Sequence, residues 1–383
     1  MSEQYPQLGF NRNPFEVSVE RDVQTIEEVA EDVARFCMDI RTTEYDLIRS
    51  RFLTPLIRGR EPARIQNLWV QGQKGVGKSI LLKKLAYDLY GTQDVVTIYI
   101  KIPIEGLDLN GVYRRCVRWL GPQKFGNLAL RIYSEYFRDM TVEDAARVFE
   151  FSSDTLKSRL KEFKSILKKN PELVADIFSK DARRVRQLQK LGIERGAMKD
   201  GVLKRQVAAK LVARHRIFKK FADLISEYLE NPDVFFTKIQ DAKGRDTVPM
   251  LLSYFKAAQD FLGTRSMVLI LDEFEIAWKQ ISEKAKLNIV VAIRALNDSS
   301  QGRMKFILTV TPDEFDETSG ILSPKYRHLL DVIPKTTLAR NVVDVPALDD
   351  SMVLRLAEFL LNAEGVRSRA GKYIDPFVPE VLI

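Results

Sequence analysis

Cysteine and histidine are both scarce in this chain: its 383 residues hold two of each, Cys37 and Cys116, His215 and His328. Two cysteines exclude a disulfide framework, and two histidines argue against a histidine-rich metal site. No apolar run reaches the length needed to cross a bilayer. The leading residues, Met1-Ser2-Glu3-Gln4-Tyr5-Pro6, lack the basic and apolar regions of a secretory signal. Together these absences predict a chain of the cytoplasm with no membrane role. What is present is apolar material, 45% of the residues, enough to build a core across roughly two or three domains.

The formal net charge of +8 hides an asymmetry. Residues 151–220 carry 20 lysines and arginines against seven acids, so the rest of the chain is net acidic. A segment this basic predicts contact with an anionic surface, nucleic acid foremost, although solvated helix faces give the same composition.

The strongest local pattern is Gly72-Gln73-Lys74-Gly75-Val76-Gly77-Lys78-Ser79, which reads G-x-x-x-x-G-K-S. An apolar run, residues 65–71, precedes it, and a helical pattern, residues 80–90, follows it and stops at Gly91. Strand, glycine-rich turn and helix form the context in which such a loop cradles phosphates. Glycines let successive N–H groups converge on an anion, and the helix N-terminus adds its positive end. Lys78 can reach the β- and γ-phosphates of ATP, and Ser79 can hold Mg²⁺. A second apolar run, Leu269-Ile270-Leu271, ends in Asp272-Glu273. Carboxylates at the end of a buried strand sit where open α/β sheets bind ligands. Asp272 can orient Mg²⁺ or its water shell, and Glu273 can act as general base toward an attacking water.

Elsewhere, residues 21–58 read as helix, with Ile26, Val29, Ala30, Val33, Phe36, Cys37 and Ile40 on one face. Residues 95–102 and 304–311 read as strands, 282–297 as a helix, 341–345 as a last short strand and residues from 354 as a further helix. Strands separated by helices predict an α/β fold with a parallel sheet.

The order of these pieces resembles the AAA+ ATPases, and within them the origin-recognition-like and ExeA/TniB-like groups. The Asn13-Pro14-Phe15 segment, the strand ending Thr309-Val310-Thr311-Pro312, and Val345-Pro346-Ala347-Leu348 carry the resemblance beside the two acidic and phosphate-binding motifs. It implies an ATP-hydrolysing P-loop core with Mg²⁺, working as a homo- or hetero-oligomer. It divides the chain into an N-terminal segment and first part of the core (1–107), a helical basic insert (108–262), a second part of the core (263–346) and the start of a helical lid (347–383). It casts Thr311, or less readily Thr309, as the polar residue that senses the γ-phosphate, where relatives often carry asparagine. Arg327 becomes the candidate arginine finger, acting in trans on a neighbouring subunit, with a surface arginine as the alternative. Relatives also carry a lid arginine; either this chain continues beyond Ile383 or that arginine is lacking.

The insert accounts for most of the 194 residues between Lys78 and Asp272. Within it, residues 141–160 resemble a helix-turn-helix: Thr141 as first cap, Ala145 or Ala146 at the crossing, Phe149, Phe151 and Leu156 as core, Ser152 as second cap. Ser153, Thr155, Lys157, Ser158 and Arg159 would then face DNA. Glu150, where many such turns carry glycine, speaks against a tight turn. Further basic clusters, Arg183-Arg184-Val185-Arg186 and Lys204 through Lys220, suit phosphate contacts, making DNA the expected partner of residues 141–220. A nucleotide-controlled switch acting on a protein partner, without nucleic acid, is the other reading.

Overall fold

A computed structural model describes residues 25–36, 41–58, 67–73, 75–92, 94–103, 108–149, 153–170, 173–174, 200–274, 282–310, 315–316, 321–322, 342–353 and 355. The chain divides into two compact units, one of residues Met1–Arg115 with Ser266–Ile383, the other of Cys116–Arg265.

The first unit is built on a five-stranded sheet in which every pairing is parallel. It begins with α1 (Ile26–Phe36), α2 (Thr42–Ile48), a π-helical turn at Arg49–Leu53 and the short α3 (Thr54–Ile57). Then come β1 (Leu68–Gln71), α4 (Lys78–Tyr90) and β2 (Val95–Lys101), followed by the long α5 (Leu109–Asp139), which runs across the division into the second unit.

The single helix expected over 21–58 is divided. Arg41, at the N-cap of α2, leaves the helical region at φ −109° and ψ 35°. Its guanidinium is committed to carbonyls far along the chain, which a continuing helix would turn away from them. Reciprocal bonds between Thr25 and Glu28 cap α1.

Among the described residues, the second unit contains the rest of α5 and six α-helices more: α6 (Val142–Val148), α7 (Ser153–Lys169), α8 (Asp200–His215), α9 (Lys219–Glu227), α10 (Pro232–Gln240) and α11 (Thr247–Leu262). Gly121 breaks α5 with φ 64° and ψ 175°, immediately before Pro122. An aromatic core holds this unit together: Phe125 lies 5.1 Å from both Phe235 and Tyr254, ring to ring, and Phe137 lies 5.3 Å from Phe163. Thr141 caps α6 through a full capping box with Asp144. Ala145 is buried and Phe149 packs on Phe163, whereas Ala146 is exposed. Glu150, Phe151 and Ser152 lie outside the described residues, as does the 183–186 cluster. Cys116 is a free, buried thiol whose pKa burial pushes up to about 12.

The chain returns to the first unit with β3 (Ser266–Asp272), α12 (Glu283–Ser299) and β4 (Met304–Val310), then the two-residue strands β5 (Phe315–Asp316) and β6 (Ile321–Leu322), an antiparallel pair apart from the main sheet, and finally β7 (Val342–Asp344). The sheet order is β2-β3-β4-β1-β7. Every residue of β3 is buried, as expected of a parallel strand covered on both faces. After β7, Asp349 caps a helical turn through the Met352 amide. Among the described residues no helix is long and apolar enough to cross a membrane.

Lys83 and Lys305 break the apolar pattern of this unit's interior. Lys83 of α4 is fully buried and donates to Asp32 of α1 at 2.6 Å, pinning the two helices together. Lys305, second residue of β4, is 2% exposed, and burial lowers its pKa to about 8.

Candidate functional site: a phosphate loop and a carboxylate strand end

The turn between β1 and α4 has the geometry of an anion cradle. A side chain at Gly72 would put its Cβ 2.6 Å from the Val345 carbonyl oxygen, so only glycine lets the backbone pass. Gly75 (φ 87°) and Gly77 (φ 95°) occupy the left-handed region, which glycine enters without steric cost. Gly77 is the N-cap of α4 and offers no capping side chain. The first N–H groups of a helix have no partner within it; here they open at the loop, beside the positive end of the helix dipole. Lys78 is buried and folds back along the turn, its Nζ donating to the Gly72 carbonyl and, at 3.0 Å, to that of Gln73. Val76 is buried and Ser79 half-buried in the first turn of α4. Lys74 lies outside the described residues.

Parallel pairing places the other half of the site at the same sheet edge. Val70 of β1 is level with Thr309 of β4, and Leu308 of β4 with Leu271 of β3. Asp272 therefore ends β3 two strands from the phosphate loop, about 10 Å across at ordinary strand spacing. Asp272 is 1% exposed. Its Oδ2 accepts from the Tyr99 hydroxyl at 2.6 Å, and its Oδ1 accepts from the Glu273 amide at 2.9 Å. Burial first, and then the neighbouring Asp272 charge, raise the pKa of Tyr99 well above its ordinary value, so the phenol stays a donor. A carboxylate has about four acceptor positions, so Asp272 keeps capacity for a cation or its water.

Glu273 adopts φ 56°, unusual for a residue with a side chain. The conformation is held from both sides, by its own amide on Asp272 and by the Phe274 amide donating to Thr309 Oγ1 at 3.2 Å. Such a backbone costs on the order of 1–3 kcal/mol and persists where its surroundings fix it. It turns the Glu273 side chain to Lys101, the last residue of β2, with Nζ 3.5 Å from Oε1.

Three contributors carry no local sequence signal. Arg41, 6% exposed, donates from Nε and Nη2 to the Val76 carbonyl at 3.1 and 2.7 Å, and from Nη2 to that of Pro346 at 2.7 Å. Its Nη1 pairs with Glu44 at 3.3 Å. The phosphate loop is thus braced from α2 and from the segment after β7. Tyr99 and Lys101 come from β2, where they read as ordinary members of a strand; only a charged residue closing an apolar run at the ligand edge hinted at Lys101. Thr309 is fully buried and supports the Asp272-Glu273 turn. Thr311 and Arg327 lie outside the described residues. Among the described residues no group of three or more His, Cys, Asp or Glu is arranged to hold a metal ion.

The fit to a Mg²⁺-nucleoside triphosphate rests on these features: the left-handed glycines, the side-chain-free approach at Gly72, the uncapped helix start, one amine, one hydroxyl and one buried carboxylate at a single sheet edge. No protein-family model matches the chain, and no curated protein or solved structure matches it either.

Proposed function

We propose that this chain is an ATP-hydrolysing P-loop ATPase of the AAA+ type, coupled to DNA and acting as an oligomer. The observation that carries the reading is the shared edge: the β1–α4 loop with Lys78, and the Asp272-Glu273 turn that ends β3. The sheet order supports it, because β4 lies between those two strands and brings Thr309 against the acidic turn. The loop amides and Lys78 hold the phosphates; Ser79 and Asp272 hold Mg²⁺. When bound, the metal neutralises charge across the β- and γ-phosphates. Glu273 takes the proton of the attacking water, provided it leaves Lys101 or keeps a lone pair free of it. Thr311 and Arg327 are assigned by resemblance, the first toward the γ-phosphate and the second toward a neighbouring subunit's nucleotide.

The test is phosphate release together with fluorescent-nucleotide binding. Lys78→Ala is expected to abolish binding or turnover, and Glu273→Gln to keep binding while slowing hydrolysis at least about 100-fold. Unchanged turnover in both variants rejects the site.

A second reading, an ATP-controlled switch on a protein partner, is favoured by one observation. Several of the basic residues expected to meet DNA are already paired: Lys204 with Glu230, Lys210 with Asp139 at 3.8 Å and Lys220 with Asp246 at 3.0 Å. Lys210 also lies 5.3 Å above the Tyr136 ring. Absence of salt-dependent DNA binding selects this reading.

A further inference from the structure

Lys204, Lys210 and Lys220 of α8 and α9 are paired internally, whereas α7 carries a whole row of lysines outside such pairs. Lys157, Lys161, Lys164 and Lys168 recur at spacings of four, three and four, which places them in one narrow sector of the helix. Lys157, Lys161 and Lys168 are exposed and Lys164 half-exposed. None of the four forms an ion pair within 4 Å among the described residues; Glu143 of α6 acts on Lys157 from further off, Asp154 lies three positions before Lys157 at the N-terminal end of the row, and Glu162 projects away from their sector. The helix is anchored by a different stripe, Leu160, Phe163 and Leu167, all buried. The row is therefore presented by a fixed support and spans about 16 Å at 1.5 Å per residue.

We propose that this lysine row grips the phosphodiester backbone of duplex DNA without reading its sequence. The inference rests on the DNA-coupled reading above and assigns the contact to one helix. Its chemistry narrows the ligand. Lysine ammonium groups act as point charges toward phosphates, whereas bidentate base reading uses arginine, asparagine or glutamine, and the row contains none. No aromatic side chain is exposed among the described side chains of α7, so the stacking that single strands require is lacking. Its described large apolar side chains, Leu160, Phe163, Ile166 and Leu167, are buried or half-buried, so among them there is no wedge for a lipid surface. The helix-turn-helix expectation is thereby recast: α6 and α7 are both present, but α7 meets the duplex along its side, through charge.

The test uses the full chain and fluorescein-labelled duplexes of about 30 base pairs in two unrelated sequences. Anisotropy titrations across a KCl series give the salt slope. Changing all four lysines to glutamine is expected to make the log–log slope shallower by about 3.6 and to weaken binding by at least about 100-fold, equally for both sequences. Changing all four to arginine keeps both quantities near the original, which separates loss of charge from loss of fold. An unchanged slope in the glutamine variant overturns the proposal while leaving DNA binding intact. A sequence-selective loss, or tighter binding to single strands or anionic vesicles than to duplex, overturns it as well. If the unaltered chain binds neither duplex, the DNA reading falls with it, and phosphate release still judges the nucleotide site separately.

Discussion

The two units treat positive charge in opposite ways. The α/β unit places it inside: Arg41, Lys78, Lys83 and Lys305 are all buried. Among the described residues, the helical unit buries no charged side chain at all; its cations lie on the outside, paired or in water. The difference teaches how to read charge. An interior cation met by specific acceptors, as Arg41, Lys78 and Lys83 are, marks a fixed point of architecture, whereas Lys305, whose pKa burial alone lowers, is a cost to the native state. An exterior cation costs little, so its meaning depends on which neighbours neutralise it.

The comparison can be broken most severely at the interior pair. Asp32→Ala leaves the Lys83 ammonium buried without its partner and is expected to cost about 3–5 kcal/mol in denaturant unfolding. Replacing the pair by leucine and methionine together should recover most of that loss. If the single change is as mild as the double, interior charge in this unit is not structural.

Lys305 gives an intermediate effect with a pH signature. Its native pKa, about 8, lies below the ordinary value of 10.5. Between those values the unfolded chain binds the proton that the native state has released, so stability rises with pH across that window. Below about pH 8 the native state carries the full cost of a buried ammonium. Lys305→Met is expected to raise stability at pH 7 by about 1–2 kcal/mol and to flatten the rise between pH 8 and 10.5. Thermal melts over that range measure both. The smallest effect belongs to the helical unit: Lys220→Gln, which removes an exposed pair with Asp246, should change stability by less than about 0.5 kcal/mol.

The sheet was legible in the sequence because its strands are covered on both faces. Met267 to Leu271 reads as one apolar run, and β3 extends it by a single residue at each end. The phosphate loop was legible because its demands are local: glycine where φ is positive, lysine and serine at the helix start. What escaped was set by distance along the chain. Arg41 meets Pro346 across 305 positions, and Tyr99 meets Asp272 across 173. Neither residue differs in type from its neighbours in a way that announces the partner. The pairing of the basic segment was illegible for the same reason. Residues 151–220 are rich in lysine and arginine, but Glu230 and Asp246, which pair with Lys204 and Lys220, each lie 26 residues beyond their partner and outside that segment. Asp32 and Lys83 likewise sit on faces that periodicity assigns to apolar residues.

The position of β1 has a consequence for synthesis. Both of its sheet neighbours, β4 and β7, come from the last quarter of the chain, so no hydrogen-bonded partner for Leu68–Gln71 exists when that segment is made. At 5–20 residues per second the ribosome needs on the order of ten seconds or more to reach Met304. The Arg41 brace waits longer still, until Pro346. The segment that carries the glycine turn is translated well before its partners and settles only after them, whereas Cys116–Arg265 can assemble its aromatic core in the interval.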